Sequence, residues 1–90
     1  MVLITGATGF IGRELVKSFN VEDITVMSKR KSQIFKTLEC PLEDLLLKNC
    51  IKENYEVAIH LAGLAHNTFS LEELRKVNVE CTVALAKQLA

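Results

Sequence analysis

Residues 2–12, VLITGATGFIG, constrain the fold of this chain more than any other stretch. VLIT at 2–5 is a short unbroken run, as expected of a strand buried on both faces of a parallel sheet. Gly6, Gly9 and Gly12 follow at every third position. A helical pattern begins at once: Ile11, Leu15 and Phe19 fall four apart, with Val16 beside them, and the pattern ends near Asn20. A strand that runs through glycines directly into a helix is the opening unit of a parallel α/β arrangement.

The rest of the chain continues that alternation. ITVM at 24–27 is β-branched and unbroken, so it reads as a second buried strand. Residues 28–41 are polar, with IFKTL at 34–38 as a possible short strand. Leu42, Leu45, Leu46 and Cys50 suggest a helix with Pro41 in its first turn and lysines near its end. VAIHLAG at 57–63 is a third buried strand, closed by Gly63. Ser70 with Glu73 three residues on reads as a capping box, and Leu74, Val77, Cys81 and Leu85 continue at helical spacing. The fold class is α/β: a parallel sheet with helices on both faces, and no internal repeat, linker or domain boundary.

Composition excludes several functions. Ninety residues make at most one small domain, and 49% hydrophobic content with 11 basic and 11 acidic residues describes a globular chain. Zero net charge offers no field for nucleic acid or an acidic membrane, and no stretch approaches the roughly 18 apolar residues of a membrane span. Cys40, Cys50 and Cys81 are odd in number and lack CxxC spacing, so no disulfide framework or metal site is expected. Reduced, buried thiols in a cytoplasmic protein fit, and no signal peptide is read at the start.

At a strand–helix junction the free N–H groups and the helix dipole favour an anion, and side chains would block its approach. Gly6 permits the turn, Gly9 lets backbone come close to a pyrophosphate, and Gly12 lets the helix lie close. The spacing is GxxGxxG. It is neither GxGxxG nor a P-loop, which needs a Gly-Lys-Ser/Thr ending.

TGATGFIG resembles the cofactor loop of the extended short-chain dehydrogenase/reductase family, the NAD(P)-dependent sugar-nucleotide epimerases and dehydratases. VAIHLAG resembles the family's fourth strand, whose tail passes along the cofactor. VNVECTVALAKQLA at 77–90 resembles its Asn-Val-x-Gly-Thr helix, with Asn78 in the asparagine position and Cys81 where glycine is usual. The resemblance implies a Rossmann-like domain, of which residues 1–90 are the N-terminal part. It implies cofactor contacts at Gly6, Thr8, Gly9, Phe10, Ile11, Gly12, Leu61, Ala62 and Gly63. It also gives Asn78 a supporting role beside a catalytic lysine, through backbone and water. HLAGLAHN before a helix ending in VNV is most similar to the branch acting on UDP-N-acetylhexosamines.

The cofactor's identity turns on the end of the second strand. An acidic residue there would take the ribose 2′-hydroxyl of NAD, and a basic one would accommodate the 2′-phosphate of NADP. Ser28, Lys29 and Arg30 stand at that place and no Asp or Glu occurs between Ile24 and Leu38, which favours NADP over NAD. His60, inside a strand, reads as a packed histidine with a hydrogen-bonded partner rather than a catalytic group. His66, on the loop after Gly63, is a possible substrate contact. Ser70 is a helix cap first. Phe10 borders the phosphate site and begins the apolar helix face, so it is expected in the core. Asn78, among apolar positions, is expected to be a buried amide needing partners.

The family's chemistry uses a Tyr-x-x-x-Lys pair and a Ser or Thr. The single tyrosine, Tyr55, is followed by EVAI and lies before the third clear strand, at the end of the sheet away from the cofactor. No catalytic residue is therefore expected among the 90, and the chain by itself is expected to be inactive. ALAKQLA shows no helix stop, so a longer enzyme with the catalytic segment and substrate lobe beyond Ala90 is expected. If the sheet is doubly wound, strand 57–63 has a bare edge, which predicts self-association through it if the 90 residues fold alone; a homo-oligomer is expected. Two alternatives stand beside the nucleotide-sugar enzyme: a non-catalytic NAD(P)-binding redox sensor, and an inactive truncated fragment.

Overall fold

The computed structural model of the chain describes residues 1–63 and 69–90. Four strands form one parallel sheet: β1 (Val2–Thr5), β2 (Ile24–Ser28), β3 (Lys36–Glu39) and β4 (Val57–His60), in the order β3-β2-β1-β4. The chain moves outward from β1 to β3, then returns to β1's other side. β1 is thus the switch point of the sheet, where the crevice of a doubly wound fold opens. Thr5 stands level with Met27 on one side and His60 on the other.

Side-chain alternation sorts the sheet into two faces. Leu3 and Met27 join Cys40, Leu45, Cys50, Ile51 and Leu85 in one core, with Leu38, Leu42, Tyr55, Ala84 and Leu89 packed against it. The last helix covers this face. It comprises α2 (Leu71–Arg75), a π-helical turn (Lys76–Glu80) and α3 (Cys81–Leu89). On the opposite face Ile4, Ile24 and Val26 are buried, and the β1-to-β2 crossover supplies their cover through α1 (Phe10–Leu15) and a 3-10 turn (Val16–Ser18). No helix among the described residues is long and apolar enough to cross a membrane.

Ser70 caps the helix with Glu73 as its partner: Ser70 Oγ accepts from Glu73 N–H at 3.2 Å and donates to Glu73 Oε1 at 3.1 Å. Cys40, Cys50 and Cys81 are free thiols, and all three are buried, as expected.

Four local expectations need correction. The helix over 10–19 shrinks to α1 plus a 3-10 turn, and its inward line is set by Gly12 rather than Ile11. Gly12 is buried and Leu15, Val16 and Phe19 are half-buried. Phe10 and Ile11 overhang the strand ends, so Phe10 is 83% exposed and Ile11 66% rather than core.

The helix expected after Pro41 is only a 3-10 segment (Leu42–Leu46), with Pro41 as its cap. Gln88 takes the backbone groups that a longer helix would pair internally. Its Oε1 accepts from the N–H groups of Cys50 and Ile51 at 2.7 and 3.1 Å, and its Nε2 donates to the carbonyls of Leu45 and Lys48 at 3.0 and 2.9 Å. The strand read at 57–63 ends at His60, and Val57 and Ala58 are exposed because, among the described residues, β4 has a neighbour on one side only. The possible strand at 34–38 forms later, as β3, leaving Ile34 and Phe35 in the loop before it.

Candidate functional site

Gly6 is the one residue with a positive φ, +75°, among those described. A Cβ there would lie 2.7 Å from the Ala62 nitrogen and 2.8 Å from the Leu61 carbonyl carbon, so the turn out of β1 presses directly on the chain leaving β4. Gly12 has no space at all: its Cβ would sit 2.0 Å from the Gly6 carbonyl oxygen. The third glycine therefore docks α1 onto the turn itself rather than onto the sheet. Gly9 caps α1 without a side-chain hydrogen bond, its N–H closing the turn onto the Gly6 carbonyl at 3.1 Å. The first N–H groups of a helix have no partner within it, so this end offers them to an outside acceptor.

A cleft of about 850 Å³ opens at this end of the sheet. Of the residues singled out by sequence, Gly6, Thr8, Ser28, Lys29, Arg30 and Ala62 line it, while Gly9, Phe10, Ile11, Gly12 and Leu61 do not. Gly63 lines an adjoining hollow of about 390 Å³, with Phe69, Glu73 and Lys76. His66 lies outside the described residues. Sequence reasoning missed Ile34, Phe35, Cys40, Pro41 and Leu42, which form a mostly apolar wall opposite the glycines. The signal lay in IFKTL: its first two residues serve the cleft and only the last three serve the sheet.

The basic wall is a loop ordered by its own hydroxyls. Ser28 Oγ accepts from Arg30 N–H at 3.4 Å, and Ser32 Oγ accepts from the N–H groups of Ile34 and Phe35, each at 3.1 Å. Lys29, Arg30 and Lys31 stand there against one lining carboxylate, Glu43, which pairs with Lys76 at 3.8 Å. Glycines that admit no Cβ, a helix end without a side-chain cap and a basic rim fit a dinucleotide with its pyrophosphate at the turn.

His60 behaves as a structural histidine. Its Nδ1 lies 2.6 Å from Thr5 Oγ1 and its Nε2 lies 2.9 Å from Thr82 Oγ1. Thr5 Oγ1 already accepts the N–H groups of Leu61 and Ala62, and Thr82 Oγ1 donates to the Asn78 carbonyl at 3.0 Å. Only one polarity satisfies every group: Thr5 donates to Nδ1, and a neutral ring donates from Nε2 to Thr82. Burial lowers the His60 pKa, in keeping with a neutral ring.

Asn78 is a correction. It is exposed on the π-helical turn rather than buried, with its side chain against Gly63, whose Cβ would meet Asn78 Oδ1 at 2.9 Å. Tyr55 sits against the core at the opposite end of the sheet. Burial, then the Glu53 carboxylate, raises its pKa, the reverse of what an acid–base tyrosine near neutral pH needs.

Comparison with known proteins agrees with this geometry. The profile of the NAD dependent epimerase/dehydratase family matches residues 2–90. The chain is 38% identical over 84 residues to an Arabidopsis thaliana protein described as "Epimerase family protein SDR39U1 homolog, chloroplastic", covering 83% of this chain and 24% of that one. Among solved structures it is similar to MoeE5 in complex with UDP-glucose and NAD (29% identity, TM-score 0.75, 97% of this chain, 31% of that one). An Agrobacterium tumefaciens short-chain dehydrogenase/reductase superfamily protein with bound NAD shares the fold at 22% identity and TM-score 0.74, over 99% of this chain and 28% of that one. So does UDP-N-acetylglucosamine 4-epimerase from Bacillus cereus, at 22% identity and TM-score 0.69, over 97% and 31%. The chain thus spans 24% to 31% of the length of these relatives. A Rossmann-like parallel sheet, a glycine turn closed to any Cβ and a profile match over nearly every residue together mean that the chain belongs to the NAD dependent epimerase/dehydratase family.

Proposed function

We propose that residues 1–90 are the cofactor-binding part of a nucleotide-sugar epimerase, dehydratase or reductase. Such an enzyme acts by hydride transfer through a keto intermediate, with a UDP-hexosamine as substrate. The observation that carries this reading is the closed glycine turn at β1, facing a cleft with a basic rim. The Gly6–Gly12 turn and the start of α1 hold the pyrophosphate, Leu61, Ala62 and Gly63 pass along the cofactor, and Ser28, Lys29 and Arg30 meet the ribose edge. When bound, the dinucleotide supplies the hydride acceptor. This chain's residues bind and orient it, and the Tyr-x-x-x-Lys pair of the family is not among the 90. In the full-length protein, hydride transfer from UDP-sugars, followed as NAD(P)H absorbance, tests the reading. Absence of dinucleotide binding by that protein would overturn it.

NADP is the cofactor this reading favours, because the rim after β2 carries three cations and no carboxylate up to Leu38. A second reading, NAD, is favoured by the NAD named with MoeE5 and with the Agrobacterium protein. Binding of NADPH and NADH by calorimetry separates the two. The outer edge of β4 has no strand beside it among the described residues, so we expect pairing there between copies if the 90 residues fold alone. A clean monomer by light scattering, with protected amides in β4, would contradict this.

A further inference from the structure

Cys40 follows β3, and Cys50, ten positions later, lies in the segment stapled by Gln88. Their sulfurs lie 2.8 Å apart, within 1 Å of the roughly 2.05 Å of a disulfide bond. Both are free thiols, 2% and 8% exposed. The backbone holds them face to face: Cys40 N–H donates to the Ser28 carbonyl at 2.9 Å, and Cys50 N–H donates to Gln88 at 2.7 Å. Cys81, equally buried, is not in this pair. Disulfides of reducing compartments, where they occur, are mostly transient or redox-sensing.

We propose that Cys40 and Cys50 form a dithiol site that reacts with a small hydroperoxide, such as hydrogen peroxide, and closes to an intramolecular disulfide. Cys50 is the more exposed and reacts first. Its thiolate sulfur attacks one peroxide oxygen, the S–O bond forms, the O–O bond breaks, and the hydroxide released takes a proton to become water. The Cys40 sulfur then attacks the Cys50 sulfenic acid. The S–S bond forms, the S–O bond breaks, and the departing hydroxide leaves as a second water with the Cys40 proton. Two thiols are oxidised and one peroxide is reduced to two waters. Burial above all, and then its contact with Cys50, pushes the Cys40 thiol up to about 12, which disfavours Cys40 as the sulfur that meets the peroxide first. Cys40 also lines the cleft beside Pro41 and Leu42, so the bond ties that wall to the Gln88-anchored segment.

Trypsin separates the three cysteines: residues 37–48 carry Cys40, 49–52 carry Cys50 and 77–87 carry Cys81. The full-length protein, reduced and desalted, is treated with hydrogen peroxide, alkylated in denaturant and digested. The expected result is one cross-linked species joining 37–48 to 49–52, reversed by dithiothreitol, while 77–87 remains alkylated. Full alkylation of Cys40 and Cys50, at a peroxide dose that oxidises free cysteine in the same tube, overturns the proposal. So does sulfinic acid at each sulfur without a cross-link. In Cys50→Ser the Cys40 thiol should survive the same dose, and its loss at the native rate overturns the assigned order of attack.

Discussion

Two walls of one cleft are built by different physics. On one side the glycine turn is fixed by contact: a single added carbon at Gly12 would lie 2.0 Å from the Gly6 carbonyl oxygen, and one at Gly6 would meet the backbone after β4. On the other side Lys29 and Arg30 ride an exposed loop that leaves β2 at Ser28 and is held by a few hydroxyl hydrogen bonds. The first wall has no slack, so changes there break the structure. The second has side-chain freedom and water around it, so changes there retune what binds. Shape is set where the backbone meets backbone, and selectivity where charges meet solvent.

The largest expected effect is on the rigid wall. Gly12→Ala should cost at least about 3 kcal/mol, the upper end of overpacking, because the obstacle is backbone rather than a side chain that can swing away. Urea unfolding of the full-length protein measures this, and a loss below 1 kcal/mol would show that the turn has slack after all. On the compliant wall Arg30→Glu should leave stability unchanged while lowering the NADPH-to-NADH affinity ratio roughly ten- to hundredfold, the range of a charge-assisted contact. An unchanged ratio would leave Arg30 a solvated loop residue.

His60 lies behind the rigid wall, tying Thr5 at the end of β1 to Thr82 of α3. His60→Ala should cost about 1–3 kcal/mol through the threonine hydroxyls left without partners. It also gives a signed pH effect. The folded pKa of His60 is depressed by burial below its ordinary value of 6.5, so the unfolded state takes the proton first. Its contribution is fully present above about pH 6.5 and falls away as pH drops through the lowered folded value. Urea midpoints at pH 7.5 and 5.5 should therefore differ more in the native protein than in His60→Gln. The smallest effect belongs to the helix start on the other side of the hollow: Ser70→Ala removes one cap and should cost about 1 kcal/mol by the same unfolding measurement.

Much of this was legible in the one-dimensional pattern. VLIT and ITVM are unbroken apolar runs because β1 and β2 are inner strands, and Ser70 three residues before Glu73 forms its cap through purely local bonds. The glycine spacing pointed to a turn that tolerates no side chain, and its neighbours proved to be Leu61 and Ala62, more than 50 residues away. Local rules failed where distant partners intervened. Periodicity promised a helix through Cys50, but Gln88 takes the peptide groups that such a helix would use itself. Phe10 fits the apolar face by spacing, yet α1 begins beyond the strand ends, where no core exists to receive it. The 34–38 run divides between cleft and sheet because β3 pairs from Lys36 onward, and that register is set by β2.

Sequence alone thus determined the α/β class, the glycine turn, the cap at Ser70 and the family, since each rests on short local patterns and on their order along the chain. Tertiary structure alone decided that His60 is held neutral between two threonines, that Asn78 faces Gly63 and that Cys40 meets Cys50. These depend on which side chains the sheet order and the last helix bring within a few ångströms of each other, and no local spacing records that.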